Sequence, residues 1–124
     1  MIAIPLDFTI TTERLRIKAA EVSEVDFVWS ATRFECFNNG LAWDTPKDKS
    51  ELVDAAVRDQ KQWEKGQAFT FTSELLEIGN PVGRTGTMRI GSSSEWSFGF
   101  WVHPDYWGNG YAPEMGSAVL EFIF

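Results

Sequence analysis

The sequence predicts an α+β fold, a mixed and mostly antiparallel sheet flanked by helices. Three observations predict it. Polar–apolar alternation with period two occurs at 13–19 and again through 67–102, where short turns separate three runs. Apolar residues at helical spacing fill the stretch between these two regions and the end of the chain. The resulting order, β-α-α-β-β-β-α, contains no repeat, linker or low-complexity tract, so one domain over 1–124 is expected.

Glu13 to Ala19 reads as a half-buried strand. Ser23 with Asp26 resembles a capping box, with Asp where Glu or Gln is usual. Val25, Phe27, Val28, Ala31 and Phe34 then carry a first helix to about Phe34. Asn38-Asn39-Gly40 is a turn signal. Thr45-Pro46-Lys47-Asp48 reads as a helix start, with Thr45 as cap, Pro46 at the first position and Asp48 favoured by the helix dipole. Leu52, Val53, Ala56, Val57, Gln60 and Trp63 trace one face of that helix, and Gly66 ends it.

Gln67 to Leu75 alternates around Phe69 and Phe71. Asn80-Pro81 turns the chain into Val82 to Ile90, with Val82, Arg84, Gly86, Met88 and Ile90 on one face. Gly91 to Ser94 is a hairpin loop. Glu95 to Val102 follows, with Trp96, Phe98, Phe100 and Val102 on one face and Glu95, Ser97, Gly99 and Trp101 on the other. Short turns between these runs predict an antiparallel meander. Met115, Ala118, Val119, Phe122 and Ile123 form the apolar stripe of a last helix.

With 44% hydrophobic and 23% charged residues in 124, the chain has the composition of a folded globular protein. The formal net charge is −7, and all 11 Lys and Arg lie at or before Arg89. Nucleic-acid binding, which calls for a basic patch, is therefore not expected. The acidic balance suits a cationic partner such as an amine, and equally suits simple solubility. A single cysteine, Cys36, excludes an intramolecular disulfide. No apolar run reaches the roughly 18 residues of a membrane span, and the first residues lack a basic leader. A cytoplasmic protein with no membrane partner is expected.

The segment richest in chemical signals is Phe98 to Met115. A strand leads into Trp107-Gly108-Asn109-Gly110-Tyr111-Ala112, which opens a helix with Pro113 in its first turn. Unpaired N–H groups and the helix dipole at such a junction bind anions without a basic side chain. Gly108 and Gly110 permit close approach and unusual dihedrals. The spacing is that of neither the Walker loop nor the dinucleotide fingerprint.

This stretch resembles motif A of the GNAT superfamily of N-acetyltransferases, [Gln/Arg]-x-x-Gly-x-[Gly/Ala]. Pro104-Asp105-Tyr106-Trp107-Gly108-Asn109-Gly110-Tyr111-Ala112 with Glu114 is similar to the branch that acetylates N-termini of ribosomal proteins. Thr12 to Arg16 resembles that branch's first strand, and Val82 to Gly86 its third. The resemblance implies acetyl-coenzyme A as co-substrate, a primary amine as acceptor and no metal. The acceptor would be a protein N-terminal α-amino group, or else a small amine. The resemblance further implies that Gly108 to Ala112 hold the pyrophosphate through N–H groups. Phe100, Trp101 and Val102 would pair with the pantetheine arm as an added strand does. Trp107 stands where many relatives carry Gln or Arg, which leaves the pyrophosphate to backbone donors. The family continues past this helix with further strands, whereas this sequence stops at Phe124. A C-terminally truncated GNAT domain is thus expected. The alternative is a coenzyme A-binding or dimerising module with little activity, its exposed Val119 to Phe124 stripe serving a homodimer.

Candidates for proton transfer are weaker. Relatives often carry an acid where Ser97 stands, so Ser97 and the nearby Glu95 are the candidate catalytic positions. Glu114 is read as complementing the helix N-terminus. His103, the only histidine, lies at a strand end and could accept a proton. Cys36 reads as a small hydrophobe, and one His with one Cys cannot supply a usual metal set. The tryptophans read as core and cleft walls, with Phe37 to Trp43 on the acceptor side.

Overall fold

A computed structural model describes residues 3–39, 45–90 and 95–123. The elements are β1 (Thr9–Thr11), β2 (Leu15–Ala19), α1 (Val25–Thr32), α2 (Glu35–Asn39), α3 (Lys49–Glu64), β3 (Ala68–Leu75), β4 (Pro81–Arg89), β5 (Trp96–Val102) and α4 (Tyr111–Ile123). The sheet order is β1-β2-β3-β4-β5. All four described pairings are antiparallel, so the meander is present and the described sheet has no parallel neighbour. The α+β class is as the alternation predicts. The short β1 lies outside that prediction, because three residues carry too little alternation to read.

The core lies between one sheet face and α4. Leu15, Ile17, Phe69, Phe71, Val82, Met115 and Val119 are fully buried there. Trp63, at the end of α3, sets its ring edge-on to Phe69 and Phe71, both at 5.0 Å, and its indole N–H donates to the Ile4 carbonyl at 2.7 Å. Burying each such side chain stabilises the fold by about 1.5–3 kcal/mol. On β5, Phe98 packs on this core and Trp101 faces the other way, as alternation requires. The expected single β4 face is split: Val82 is fully buried in the core, whereas Arg84 and Gly86 line the cleft on the opposite face and Met88 is 58% exposed, because the register shift at Ser73/Glu74 leaves Val82 in a bulge that changes the side it presents.

Helix starts depart from the sequence reading. The first is capped two residues earlier, at Glu21: the Glu24 carboxylate accepts the Glu21 N–H at 2.8 Å, and a 3-10 turn at Val22–Glu24 leads into α1. α1 ends at Thr32, and Phe34 follows it. Asn38 and Asn39 close the short α2 rather than forming a turn. α3 begins after Asp48, not Thr45. Asp48 accepts the Ser50 N–H at 2.8 Å, and Glu51 accepts the Lys47 and Asp48 N–H groups at 2.6 and 3.0 Å. This reciprocal cap satisfies more of the orphan donors than Thr45 could. Gly66, at φ 69°, terminates α3 as expected. Gly40 to Trp43 and the Gly91–Ser94 loop lie outside the described residues.

The α4 stripe holds, with Met115 and Val119 fully buried. Val119 is therefore core, not part of an exposed patch. Phe122 remains 42% exposed and stacks on Phe8 at 4.5 Å. Among the described residues, no helix is long and apolar enough to cross a membrane, and no three metal-ligating side chains gather.

Candidate functional site

β5 is the edge of the described sheet, so half of its main-chain groups have no strand partner. The His103 N–H donates to the Val82 carbonyl at 2.8 Å. Alternation then turns the groups of Trp101 toward β4 and those of Phe100 and Val102 outward. The Val102 carbonyl is already taken: Trp107 donates its indole N–H to it at 2.6 Å. The Phe100 N–H and carbonyl and the Val102 N–H remain for an added extended chain. Trp107 spends its only donor in docking the loop on the strand, so it has none for an anion.

After β5 the chain makes a 3-10 turn, Pro104–Tyr106, and then the loop into α4. Gly108 and Gly110 sit at φ 83° and 79°, the left-handed region that disfavours any side chain. Among the described residues, the N–H groups of Gly108, Asn109 and Gly110 donate to no backbone carbonyl. Those of Tyr111 and Ala112, in the first turn of α4, have no intrahelical acceptor. A cavity of about 320 Å³ lies against this nest, walled by Phe100, Trp101 and Val102 on one side and by Trp107, Gly108, Gly110, Tyr111 and Ala112 on the other. Asn109 is not in the wall. Its amide holds the loop instead, donating to the Tyr106 carbonyl at 2.9 Å.

Glu114 and Arg14 brace the nest from behind. Glu114 accepts from the Thr12 hydroxyl at 2.6 Å, from the Arg14 N–H at 3.0 Å and from the Arg14 guanidinium at 2.6 and 2.7 Å. Arg14 also donates to the Asn109 carbonyl at 2.8 Å and lies over the Tyr111 ring at 4.5 Å. Burial pushes the Glu114 carboxyl up, but these donors outweigh it and hold it below the usual carboxylate range.

A second cleft of about 440 Å³ lies on the opposite sheet face, under α1 and α3. Phe100 and Trp101 belong to the walls of both cavities. Trp101 is held by Phe27, stacked at 5.4 Å, and by Phe37, edge-on at 5.0 Å. A buried ionic group lies beside this cleft, and the sequence reading missed it. Glu24 accepts from Thr72 at 2.7 Å and from Arg84 at 3.3 Å. Arg84 on the β4 alternation was the available signal, since a cation between small residues on an inward face needs a partner.

The proton-transfer candidates fall elsewhere. Glu95 is exposed at the end of β5, and the Ser97 hydroxyl donates to the Met88 carbonyl at 3.3 Å. Neither lines either cavity. His103 is 4% exposed. Its Nδ1 accepts the Asp105 N–H at 3.1 Å, which places the proton on Nε2, 3.0 Å from the Ser30 hydroxyl. Burial pulls its pKa down, opposed by Asp105, so the ring is a neutral cap.

Residues 14–124 match the family described as the Acetyltransferase (GNAT) domain. The chain belongs to this family. No curated protein sequence matches the GNAT chain significantly. Solved structures do. A Vibrio cholerae protein assigned as a ribosomal-protein-serine acetyltransferase superposes with a TM-score of 0.79 at 21% identity, over 96% of this chain and 68% of that one. RimL, a ribosomal L7/L12 α-N-protein acetyltransferase, gives 0.77 at 15% identity over 93% and 64%. RimL in complex with coenzyme A gives 0.73 at 13% identity over 93% and 67%. The chain thus spans about two thirds of these structures, which share its GNAT fold.

Proposed function

We propose that this GNAT domain transfers an acetyl group from acetyl-coenzyme A to a primary amine, with a protein N-terminal α-amino group as the first acceptor class and a small amine as the second. The observation that carries the reading is the cavity between the outward main chain of Phe100 and Val102 and the N–H nest of Gly108 to Ala112. The nest suits a pyrophosphate, by the dipole and N–H argument. The free edge of β5 suits an extended amide-bearing arm. An outward N–H of that edge can polarise a thioester carbonyl. The amine arrives as ammonium, loses a proton, and attacks the carbonyl carbon. The carbon–sulfur bond breaks, the nitrogen sheds its second proton, and the coenzyme A thiolate takes one up, so one proton is released overall. The ribosomal-protein enzymes among the structural neighbours support the N-terminal acceptor, and the single cysteine supports a cytoplasmic setting.

The test is thermal unfolding with and without acetyl-coenzyme A, followed by turnover on peptides with free N-termini. Ligand at 100 times its dissociation constant stabilises by about 2.7 kcal/mol, or about 10 °C for a domain of this size. No shift, and no acetylated peptide, sinks the reading. A second reading is a coenzyme A-binding, self-associating module, favoured by the exposed Leu120 and Phe122 on α4. A shift without turnover, together with a dimer mass by light scattering, would select it.

A further inference from the structure

The face that α3 turns to the sheet is only part of the stripe its apolar spacing suggests: Leu52, Ala56 and Trp63 turn inward. Val53 and Val57 are 37% and 42% exposed. Leu52, Ala55, Ala56 and Asp59 line the cleft instead. Asp59 thus occupies a position of the inward stripe, where a helix packed on a sheet normally presents an apolar side chain. Two alanines before it keep the space open.

Within the described structure the Asp59 carboxylate makes no hydrogen bond and no ion pair of its own. A half-buried carboxylate left so is costly to the fold, and neither a capping nor a packing role explains it. Its neighbours attract it through space without pairing with it. Arg84, across the cleft on β4, is committed to Glu24 and Thr72, each at 3.3 Å. Lys18 on β2 is shared among Glu21, Glu24 and Glu74 at 3.3–3.6 Å. Arg58, on Asp59's own helix, is exposed. Asp59 is thus the acid of the cleft lining with no hydrogen-bonded cation, felt by Arg84 and Arg58 only at longer range.

We propose that Asp59 is the residue that receives the ammonium group of the acceptor, in the cleft whose end wall, Phe100 and Trp101, is shared with the cavity assigned to the donor. This rests on the acetyl-transfer reading and deepens it, since it fixes the side of β5 from which the amine approaches. It also fixes the acceptor class as cationic at neutral pH. Burial raises the Asp59 carboxyl above its ordinary value, while Arg84 and Arg58 oppose that, and a bound ammonium would oppose it further.

The experiment compares a serine-initiated tetrapeptide amide with its N-acetylated twin, titrated by NMR into the parent chain and into Asp59→Asn, with and without coenzyme A. The parent should bind the free-amine peptide about 10–100 times more tightly than the twin, the size of a hydrogen bond between charged groups. Asp59→Asn should erase that preference while its thermal midpoint stays level or rises. Equal affinities in the parent, no binding of the free-amine peptide, or a preference that survives in Asp59→Asn overturns the assignment. The coenzyme A-induced thermal shift in the same samples reports separately on the acetyl-transfer reading. Its loss in the parent counts against that reading, whereas an intact shift with equal peptide affinities counts against Asp59 alone.

Discussion

Arg14, in the hairpin between β1 and β2, grips Glu114 at the head of α4 with Nη2 and Nε at 2.6 and 2.7 Å from the same carboxylate oxygen. The two are 100 residues apart in sequence. The first hairpin thereby sets the position of the glycine turn that opens α4, far along the chain but adjacent in space. Replacing Arg14 by Ala also removes its bond to the Asn109 carbonyl and its packing on Tyr111. Exposed pairs contribute little, but this one is two-pronged and networked, so about 1 kcal/mol of stability should be lost. That is about 4 °C by differential scanning fluorimetry. The larger effect should fall on coenzyme A affinity, weakened about tenfold because the nest loses its support. An unchanged affinity would show that the nest holds its shape without Arg14.

The same contact sets an acid limit. The Glu114 carboxyl is held below its ordinary value in the fold, so its contribution is fully present above the unfolded value and is lost as pH falls through the folded one. Glu114→Gln lacks this titration. Its midpoint should lie below that of the parent at neutral pH, and the difference should shrink as pH drops below about 4.5. A constant difference down to pH 3 would contradict the coupling.

Gly83 on β4 is where the strand can least accept a side chain. A Cβ there would sit 2.5 Å from the Trp101 carbonyl and 3.1 Å from the Met115 sulfur. Gly83→Ala should cost about 1–3 kcal/mol by denaturant titration. Gly86→Ala, with nothing within 4 Å of its Cβ, should stay within about 0.5 kcal/mol. Equal losses would mean that the β4–β5 register is looser than described.

The sheet was legible because its strands alternate, save at Val82, where a register shift no local pattern reports changes the face of β4; α4 was legible because its stripe repeats over two turns. The loop was legible because glycines at Gly108 and Gly110 have few other reasons to bracket one residue before a helix. The helix starts were not. Thr45-Pro46 is a good local cap, yet Asp48 and Glu51 form a reciprocal one, and the count of satisfied N–H groups decides. The face of α3 was legible at Leu52, Ala56 and Trp63 but drawn too wide, because Val53 and Val57 match helical spacing as well as those three do. Only the sheet beneath decides which stripe is buried. The braces Arg14–Glu114 and Glu24–Arg84 join residues 100 and 60 apart, which no local pattern reports.

Gly110 tests the nest directly. Its φ of 79° strains any other residue, although its Cβ would only touch an Arg14 nitrogen at 3.5 Å. Gly110→Ala should therefore cost about 1–2 kcal/mol through the backbone rather than through a clash. In isothermal titration it should weaken coenzyme A about tenfold or more by re-aiming the loop N–H groups. A variant that keeps parental affinity would move the anion site off this loop.

His103 separates a structural histidine from a catalytic one. Its pKa is lowered by burial, so the folded protein resists a proton that the unfolded chain accepts. Its contribution is then complete above about pH 6.5 and falls away below it, until the folded value is reached. The parent's thermal midpoint should decline between pH 7 and 5. His103→Asn can still accept the Asp105 N–H but cannot titrate, so its midpoint should be flatter over that window. A general base contributes about 10²–10⁴-fold to turnover. If the ring only caps the 3-10 turn and packs against Phe27 and Phe34, His103→Asn should keep activity within about tenfold. A hundredfold loss in turnover with an unaltered midpoint would make His103 a participant in the chemistry, and its hydrogen bond to Ser30 a proton path rather than a brace.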